Sequence, residues 1–307
     1  MKIVIPDLID MPEVAQQKLR DMGAELYFDT PDEATLIGRV KDAEIITANW
    51  IDVPAAVIDA CPHLKCIVAS AVGYNHIDVA HAASKGIKVL NCPTYHARAV
   101  AEHAVALLFA TARKLSQAMT SLKNGEWADK QELLGTELQG KRLGIVGYGR
   151  VGKEIAGMAR ALGMQVQFAN SRTDDTELDA LLSQSDTVCL CLPLTESTER
   201  IIDARRLKLL KPSAILVNVG RGATVDQATL YQMLRDGELA GAGLDVFENE
   251  PLEGKATEPI VQLASLPNVT ATPHIGYNTE ETIARLGDEL IANLQSCLDG
   301  QPRNVVN

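Results

Sequence analysis

The chain has 307 residues, more than one ordinary hydrophobic core accommodates, so two domains are predicted. With 46% hydrophobic and 22% charged residues, it has the composition of a globular enzyme with ample apolar surface to bury. Its formal net charge of −11 argues against nucleic acids and anionic membranes as partners, because no basic stripe is available to neutralise phosphates.

The first residues and the cysteines indicate the compartment. No apolar run approaches membrane-spanning length, and residues 1–6 read as a strand followed by proline rather than as a signal peptide. The six cysteines show neither zinc-ligand nor C-x-x-C spacing, and most lie in or beside apolar runs. These features predict reduced, buried thiols, no metal site and a cytoplasmic location.

The first part of the chain alternates predicted strands and helices, which indicates an open parallel sheet with right-handed crossovers. Strands are predicted at residues 2–5, 25–28, 44–48, 66–70 and 88–91. Helices are predicted at residues 13–22, 54–60 and 78–84. This part has no phosphate-binding glycine triplet, so we expect it to lack a dinucleotide site of its own.

A second sheet is predicted after a helical connector. Residues 97–122 are rich in alanine and apolar nearly all round, which predicts one long buried helix between two domains. Residues 125–141 are polar, and they form either an arm for contacts between subunits or a plain surface loop. Strands are then predicted from residue 143 and at 165–169, 187–192, 214–219, 242–245 and 269–271. A last helix at 279–298 is long enough to lead the chain back to the first domain.

A glycine triplet follows the first strand of this second sheet. The apolar run from Leu143 breaks into Gly147, Gly149 and Gly152 and resumes as a helical pattern that stops at Gly163. Between a strand and a helix, G-x-G-x-x-G spacing allows a tight turn, a close approach of pyrophosphate, and packing of helix on strand. We therefore predict a dinucleotide site here, against the alternative of an ordinary glycine-rich turn.

Three charged residues follow predicted strands of the second sheet. Arg221 follows strand 214–219, Glu250 comes shortly after strand 242–245, and His274 follows strand 269–271. Each has an ordinary explanation by itself: a solvated arginine, a turn glutamate and a surface histidine. Because parallel strands end at one edge of a sheet, we expect the three side chains at that edge, beside the dinucleotide site.

Such a set suits reduction of a carbonyl by hydride transfer. His274 fits the role of proton donor, because an imidazole titrates near neutral pH. Glu250 fits the role of its partner, because a carboxylate within a few Å favours the protonated ring. Arg221 fits the role of the cation that binds the negatively charged substrate, since a forked guanidinium binds carboxylate and carbonyl oxygens together.

Six sequence blocks, spread over nearly the whole chain, form a family signature. They are SAVGYNHID at 70–78, AVAEH at 99–103, GYGRVG at 147–152, NVGRG at 218–222, DVFENEP at 245–251 and TPHIG at 272–276. In this order they resemble the signature blocks of the D-isomer-specific 2-hydroxyacid dehydrogenases. The resemblance implies an α/β fold with two Rossmann-like or flavodoxin-like doubly wound parallel-sheet domains. The dinucleotide-binding domain (98–276) is expected to be inserted into the substrate domain (1–97 and 277–307).

The resemblance also implies roles for individual residues. Arg221 orients the substrate, while Glu250 supports His274, which protonates the alkoxide formed by hydride transfer from the nicotinamide to the 2-oxo carbon. Val72 and Gly73 correspond to the loop whose backbone N–H groups hold the substrate carboxylate, against the alternative of a plain turn. The residues expected to contact the cofactor are Gly147, Gly149, Arg150, Val151, Gly152, Asn170, Ser171, Arg172, Leu192, Pro193, Val219, Gly220, Asp245 and Gly276.

The end of the second strand of this sheet bears on the choice of cofactor. An NAD-specific site places Asp or Glu here to bind the ribose 2′-hydroxyl, but this chain has Asn170. Arg172, with Ser171 and Thr173 beside it, offers a cation and hydroxyl donors for a 2′-phosphate. The sequence therefore predicts NADP(H) in preference to NAD(H). The alternative is a solvated Arg172 in an enzyme that accepts both cofactors or favours NAD(H).

The signature fixes a small 2-oxo acid or D-2-hydroxy acid but not its side chain. Analogy with NADP-linked members of the family favours reduction of glyoxylate or hydroxypyruvate. The residues that either line the substrate pocket or pack between domains are Asn49, Trp50, Tyr74, Tyr95 and His96. The resemblance also implies a homodimer, with contacts through the helix from residue 97 and the loop after it.

Two rival functions stay open on the sequence alone. One is a different dehydrogenase with the same fold, which oxidises formate, phosphite or, with NAD, a D-2-hydroxy acid. The other is a non-catalytic nucleotide sensor or corepressor. An intact set of Arg221, Glu250 and His274 favours catalysis, because a pure binder would not need all three.

Overall fold

The computed structural model describes residues 1–7, 11–251 and 254–307 of the chain. The chain forms two units, one of Met1–His96 with Asn278–Asn307 and the other of Ala97–Tyr277. Each unit is built on an all-parallel sheet with helices between its strands, which confirms the predicted α/β fold. In the part of the chain that the structure describes, no helix is long and apolar enough to cross a bilayer.

The first unit contains a five-stranded sheet in the order β2-β1-β3-β4-β5. The strands are β1 (Ile3–Ile5), β2 (Ala24–Leu26), β3 (Ile45–Ala48), β4 (Cys66–Ala69) and β5 (Lys88–Leu90). The helices before residue 97 are α1 (Glu13–Asp21), α2 (Glu33–Val40), α3 (Ala55–Asp59) and α4 (Val79–Ser84). Strands β1, β3 and β4 are buried on both faces, which is why they read as continuous apolar runs.

Two details of this unit differ from the prediction. Helix α2 was not predicted; it has eight residues and contains Gly38, and its buried residues are Leu36 and Val40. Its start is marked by Asp32, whose side chain accepts a hydrogen bond from the Thr35 N–H at 2.8 Å. Strand β2 lies at Ala24–Leu26, slightly before the predicted 25–28, and it is only partly buried at the edge of the sheet.

The second unit contains a six-stranded sheet in the order β11-β10-β9-β8-β6-β7. The helices are α5 (Ala97–Ala112), α6 (Leu115–Lys123), α7 (Arg150–Ala161), α8 (Asp175–Gln184), α9 (Ala204–Leu207), α10 (Gln227–Arg235) and α11 (Glu258–Ala264). The strands are β6 (Arg142–Val146), β7 (Gln165–Ala169), β8 (Thr187–Leu190), β9 (Ile215–Asn218), β10 (Gly241–Leu244) and β11 (Val269–Ala271). The strand order reverses between β6 and β8, and in open α/β sheets ligands bind beyond the carboxyl ends at such a point.

The predicted single helix over residues 97–122 is wrong, because the chain forms two helices there. Helix α5 buries one face, but α6 has no buried residue. The break is at Lys114, whose φ is +52°, in the left-handed region. Near the end of α5 the Ala112 carbonyl accepts a hydrogen bond from the Thr136 N–H at 2.8 Å. The loop that follows α6 thus satisfies a carbonyl that a continuing helix would have used.

The last helix belongs to the first unit. Helix α12 (Glu280–Leu298) begins at Thr279, whose hydroxyl caps the first turn by accepting a hydrogen bond from the Thr282 N–H. It buries Leu290 and Leu294 completely and packs against α1 and β4. After α12 the chain returns to β5, where Val305 forms an antiparallel bridge with Leu90. The C-terminal segment therefore extends the edge of the first sheet.

Candidate active site

The glycine-rich turn after β6 meets the steric requirements of a bound pyrophosphate. Gly147 has a φ of +103°, and a Cβ there would lie 2.8 Å from the Cys191 carbonyl oxygen. A Cβ on Gly149 would meet no atom within 4 Å, so this position faces open space. A Cβ on Gly152 would overlap the Gly147 carbonyl oxygen, because α7 closes tightly on the turn. The turn therefore needs glycine at 147 and 152 because a Cβ would clash there, and at Gly149 it leaves open space for a cofactor phosphate. Contact of these residues with a cofactor stays a prediction.

The N-terminus of α7 provides hydrogen-bond donors beside this turn. Gly149 is the N-cap, and it offers no side-chain cap to the N–H groups of the first turn. Arg150 and Val151 begin the helix, whose backbone donors suit an anionic group. Cys191 Sγ donates to the Gly147 carbonyl oxygen at 2.9 Å, and burial raises the pKa of this thiol to about 12. The thiol is therefore neutral and stabilises the turn.

The segment after β7 exposes a cation. The Asn170 side-chain oxygen accepts from the Arg172 N–H at 2.9 Å, and the Asn170 N–H donates to Thr173 Oγ1 at 2.9 Å. Asn170, Ser171 and Arg172 are exposed. Among the described residues, no hydrogen bond or ion pair engages the Arg172 guanidinium. The acid nearest in sequence, Asp174, caps α8. This turn therefore offers a positive charge without a competing carboxylate at residue 170.

Two further loops meet at the carboxyl end of the same sheet. Leu192 and Pro193 follow β8, and Val219 and Gly220 follow β9, the strand beside β8. A Cβ on Gly220 would lie 2.7 Å from the Leu192 carbonyl oxygen, so the loops are in close contact. The structure thus gathers these four residues near the glycine-rich turn, although their contact with a cofactor stays a prediction.

Arg221 lies in a turn whose backbone is tightly held. The Asn218 side chain accepts from the Gly220 N–H at 3.0 Å and donates to the Arg221 carbonyl oxygen at 3.1 Å. The Thr224 hydroxyl donates to the same carbonyl at 2.6 Å. The half-buried Arg221 side chain donates to the Gly220 carbonyl oxygen at 2.8 Å. No acidic side chain among the described residues pairs with this guanidinium, so its charge is available to an anionic ligand.

Glu250 and His274 form a hydrogen-bonded pair. Glu250 Oε2 lies 2.6 Å from His274 Nδ1, and Glu250 Oε1 accepts from the Phe247 N–H at 2.6 Å. A carboxylate accepts at this contact, so the Nδ1 atom holds a hydrogen and the Nε2 atom is left to exchange a proton with a ligand. His274 is 40% exposed in its side chain, so the ring is accessible. Arg221, Glu250 and His274 thus follow the adjacent strands β9, β10 and β11, as predicted.

The loop that holds His274 has an unusual backbone. His274 has a φ of +53°, in the left-handed region that few residues other than glycine adopt. The buried Asp245 carboxylate binds the residues around it: Oδ1 accepts from the Thr272 hydroxyl at 2.6 Å and the Ile275 N–H at 3.0 Å. Oδ2 accepts from the Gly276 N–H at 2.8 Å. Asp245 therefore fixes the conformation of this loop, while its contact with a cofactor stays a prediction.

His103 of α5 has a place in this site that sequence reasoning missed. Its Nε2 lies 2.9 Å from the Thr272 hydroxyl and 3.2 Å from Asp245 Oδ1. Because Thr272 donates its hydrogen to Asp245, it accepts from His103, which places a hydrogen on Nε2. Burial alone would raise the pKa of Asp245, but hydrogen bonds from His103, Thr272 and the loop backbone hold that pKa below its usual value. The signal that could have identified His103 is its position in the AVAEH block.

The residues of the first unit that were predicted to bind the substrate or line its pocket all lie in loops beyond the carboxyl ends of the strands. Val72 and Gly73 form a half-buried turn after β4. The other candidates are Asn49 and Trp50 after β3, Tyr74 after β4, and Tyr95 and His96 after β5. Trp50 is 40% and Tyr74 36% exposed, so both are available to a ligand. Tyr95 is 7% exposed and packs on the His96 ring, which favours a structural role for it.

The cysteines have the buried, unpaired state that the sequence predicts. All six are free, and all except the half-buried Cys191 are buried. In the described ranges, no group of three or more histidine, cysteine, aspartate or glutamate residues has the arrangement of a metal site.

Comparison with known proteins gives one consistent family. Residues 105–276 match the protein family described as D-isomer specific 2-hydroxyacid dehydrogenase, NAD binding domain. A hydroxypyruvate reductase of Thermotoga maritima is 42% identical over 257 residues, which cover 81% of this chain and 83% of the relative. A glyoxylate reductase of Thermococcus onnurineus is 39% identical over 319 residues, covering 97% of this chain and 93% of the relative.

A solved structure agrees over the full length of the chain. An acyclic imino acid reductase in complex with NADPH and D-Arg superposes with a TM-score of 0.91. It is 31% identical in sequence, and the match covers 100% of both chains. The fold and the order of its elements are therefore shared along the whole chain.

Proposed function

The chain belongs to the D-isomer specific 2-hydroxyacid dehydrogenase family, and we propose that it reduces short 2-oxo acids with NADPH, glyoxylate and hydroxypyruvate first among them. The observation on which this proposal depends is the 2.6 Å pair of His274 Nδ1 and Glu250 Oε2, beside the turn held by Asn218. A nucleotide sensor or corepressor would not require such a pair. Two of the relatives described above are named for the reduction of hydroxypyruvate and of glyoxylate.

In the proposed reaction a nicotinamide cofactor, when bound, would supply the hydride that is added to carbon 2 of the substrate. His274 gives the proton on Nε2 to the oxygen that becomes the hydroxyl, while Glu250 holds Nδ1 and stabilises the charged ring. Arg221 binds the carbonyl and carboxylate oxygens and stabilises the negative charge that develops on the carbonyl oxygen. Val72 and Gly73 are proposed to bind the substrate carboxylate through their backbone N–H groups. We assign the substrate-binding role to the unit of Met1–His96 with Asn278–Asn307, which contains Val72 and Gly73, and the dinucleotide-binding role to the unit of Ala97–Tyr277.

A preference for NADPH over NADH follows from the turn after β7. Asn170 is neutral, so it does not repel a 2′-phosphate. Its hydrogen bonds lie within its own turn, so it does not take the role of the Asp or Glu that binds the ribose 2′-hydroxyl in NAD-specific sites. The exposed Arg172 guanidinium and the Ser171 hydroxyl are donors for that phosphate. NAD(H) remains a usable cofactor in this proposal, because the pyrophosphate contacts at Gly149 and α7 do not depend on the 2′ substituent.

We propose a homodimer formed through α6 and the loop after it. The apolar side chains that this region exposes are Leu115 (47%), Met119 (56%), Leu122 (60%), Trp127 (85%) and Leu134 (69%). An apolar face of this kind on a helix without buried residues indicates a protein interface. A second copy of the chain is the proposed occupant, and light scattering should give twice the monomer mass of 33.1 kDa. A monomer at micromolar concentration would contradict this assignment.

A panel of substrates tests the proposed function. Glyoxylate, hydroxypyruvate, bulky apolar 2-oxo acids, formate, phosphite, and a 2-oxo acid with ammonia are each assayed with both cofactors in the appropriate redox state. We expect the highest kcat/KM for glyoxylate or hydroxypyruvate with NADPH. High rates confined to bulky acids, or to formate or phosphite, would contradict the substrate assignment. Binding of NADPH without any turnover would favour a sensor.

A further inference from the structure

The turn at residues 71–73 is held by two hydrogen bonds from the segment after β5. Asn91 Nδ2 donates to the Val72 carbonyl oxygen at 2.8 Å, and the Cys92 N–H donates to the Ala71 carbonyl oxygen at 2.9 Å. A backbone carbonyl only accepts, so the Asn91 atom at this contact is the amide nitrogen. Both carbonyls of the turn are therefore directed toward the segment after β5.

The two carbonyls determine where two N–H groups point. The carbonyl of Ala71 shares a planar peptide with the N–H of Val72, and the carbonyl of Val72 shares one with the N–H of Gly73. In a trans peptide the C=O and N–H point in opposite directions. Within the described residues, neither the Val72 nor the Gly73 N–H donates a hydrogen bond. Two neighbouring N–H groups that donate no hydrogen bond within the described residues can together bind one anionic group.

Asn91 is itself held by a residue 202 positions further along the chain. Asn293 of α12 is fully buried, and its Nδ2 donates to the Asn91 carbonyl oxygen at 2.8 Å. Its Oδ1 accepts from Asn304 Nδ2 at 2.9 Å and from Arg303 Nε at 3.3 Å. A guanidinium cannot accept a hydrogen bond, so this contact assigns the orientation of the Asn293 amide. The C-terminal segment therefore fixes Asn293, which fixes the backbone of Asn91.

We infer that Asn91 is a positioning residue for the substrate carboxylate, supported by Asn293. This inference rests on the proposed function, in which the N–H groups of Val72 and Gly73 bind that carboxylate. Asn91 acts through the Val72 carbonyl: it fixes the direction of the Gly73 N–H and, by polarising the peptide, strengthens it as a donor. Such neutral donors allow a chain of net charge −11 to bind an anion without an additional cation.

The experiment compares the wild type with Asn91→Leu, which keeps the size of the side chain and removes its donor. We expect KM for glyoxylate to rise about tenfold, the effect of one lost hydrogen bond, with kcat within about threefold of the wild type. The dissociation constant of NADPH should not change. For methyl glyoxylate, which lacks the carboxylate, kcat/KM should change less than twofold. Asn91→Ser, which is shorter but keeps a hydroxyl donor, should raise the KM for glyoxylate less than Asn91→Leu does.

A matched control separates positioning from stability. Asn268 is another amide that donates to backbone carbonyls, those of Leu234 and Leu239, far in sequence from the turn. Asn268→Leu should lower the free energy of unfolding and leave the KM for glyoxylate unchanged.

Three results would overturn the inference. An unchanged KM for glyoxylate in Asn91→Leu, or equal losses on glyoxylate and its methyl ester, would remove Asn91 from this role while the proposed function stands. If Asn91→Leu does not fold, the comparison of acid and ester is made on Asn91→Ser. A wild type with no turnover on any 2-oxo acid would overturn both the proposed function and this inference.

Discussion

Replacing Glu250 by glutamine isolates the charge of the carboxylate that holds His274. In the wild type, one oxygen accepts from His274 Nδ1 and the other from the Phe247 N–H, both at 2.6 Å. A glutamine has one oxygen for these two donors, so its NH2 group must face one of them. The Glu250→Gln variant therefore loses both the charge and one acceptor without a change in size.

The expected cost follows from the two contacts. A hydrogen bond to a charged group contributes about 1.5–3 kcal/mol and a neutral one about 0.5–1.5 kcal/mol, so the charged imidazole of His274 loses roughly 1–2.5 kcal/mol. This corresponds to a fall in kcat for glyoxylate reduction of about 5- to 70-fold.

The assay is the oxidation of saturating NADPH by glyoxylate between pH 6 and 9, with the dissociation constant of NADPH measured separately. Glu248→Gln is the matched control, because Glu248 lies in the same segment as Glu250. Its Oε1 is 3.8 Å from Arg200 Nη2, and it makes no contact with His274. The control should keep kcat within about twofold of the wild type. A Glu250→Gln variant that also keeps wild-type kcat throughout this pH range would refute the role of the carboxylate.

Three further changes test other parts of the molecule. Arg172→Ala should raise KM for NADPH about tenfold and leave KM for NADH unchanged; an equal change for both cofactors would contradict recognition of the 2′-phosphate. In urea unfolding, Gly152→Ala should cost about 1–3 kcal/mol because its Cβ overlaps the Gly147 carbonyl oxygen, whereas Gly157→Ala in the same helix, with no atom within 4 Å, should gain about 0.5–1 kcal/mol. Equal effects of the two alanines would contradict the tight closure of α7. Burial raises the pKa of Asp7, and a carboxyl with a raised folded-state pKa is most favourable when protonated. The free energy of unfolding of the wild type relative to Asp7→Asn should therefore fall as the pH rises from about 4 to 7, and a constant difference would contradict this.

Much of the fold could be predicted because parallel strands such as β3 and β4 are buried on both faces and read as apolar runs between helical patterns. The break between α5 and α6 could not be predicted, because the group that binds the Ala112 carbonyl is the N–H of Thr136, after the next loop. Helix α2 was missed for a local reason, since it is short and contains Gly38, a residue that is unfavourable within a helix.

The candidate site also contains residues that could be predicted from the sequence and residues that could not. Arg221, Glu250 and His274 could be located because each follows a strand, and adjacent parallel strands end together. The groups that hold them are less visible in the sequence. The pairing of His103 with Asp245, and that of Asn293 with Asn91, joins residues far apart in the chain, and no local pattern marks such a contact.

We propose that His274 transfers the proton in the reduction of a 2-oxo acid. The most direct measurement is the turnover of glyoxylate or hydroxypyruvate, whichever the wild type reduces faster, by His274→Ala with NADPH, alongside its dissociation constant for NADPH. We expect kcat to fall by at least about a thousandfold while the dissociation constant stays within about twofold of the wild type. A variant that binds NADPH normally and keeps most of the wild-type kcat would contradict the claim.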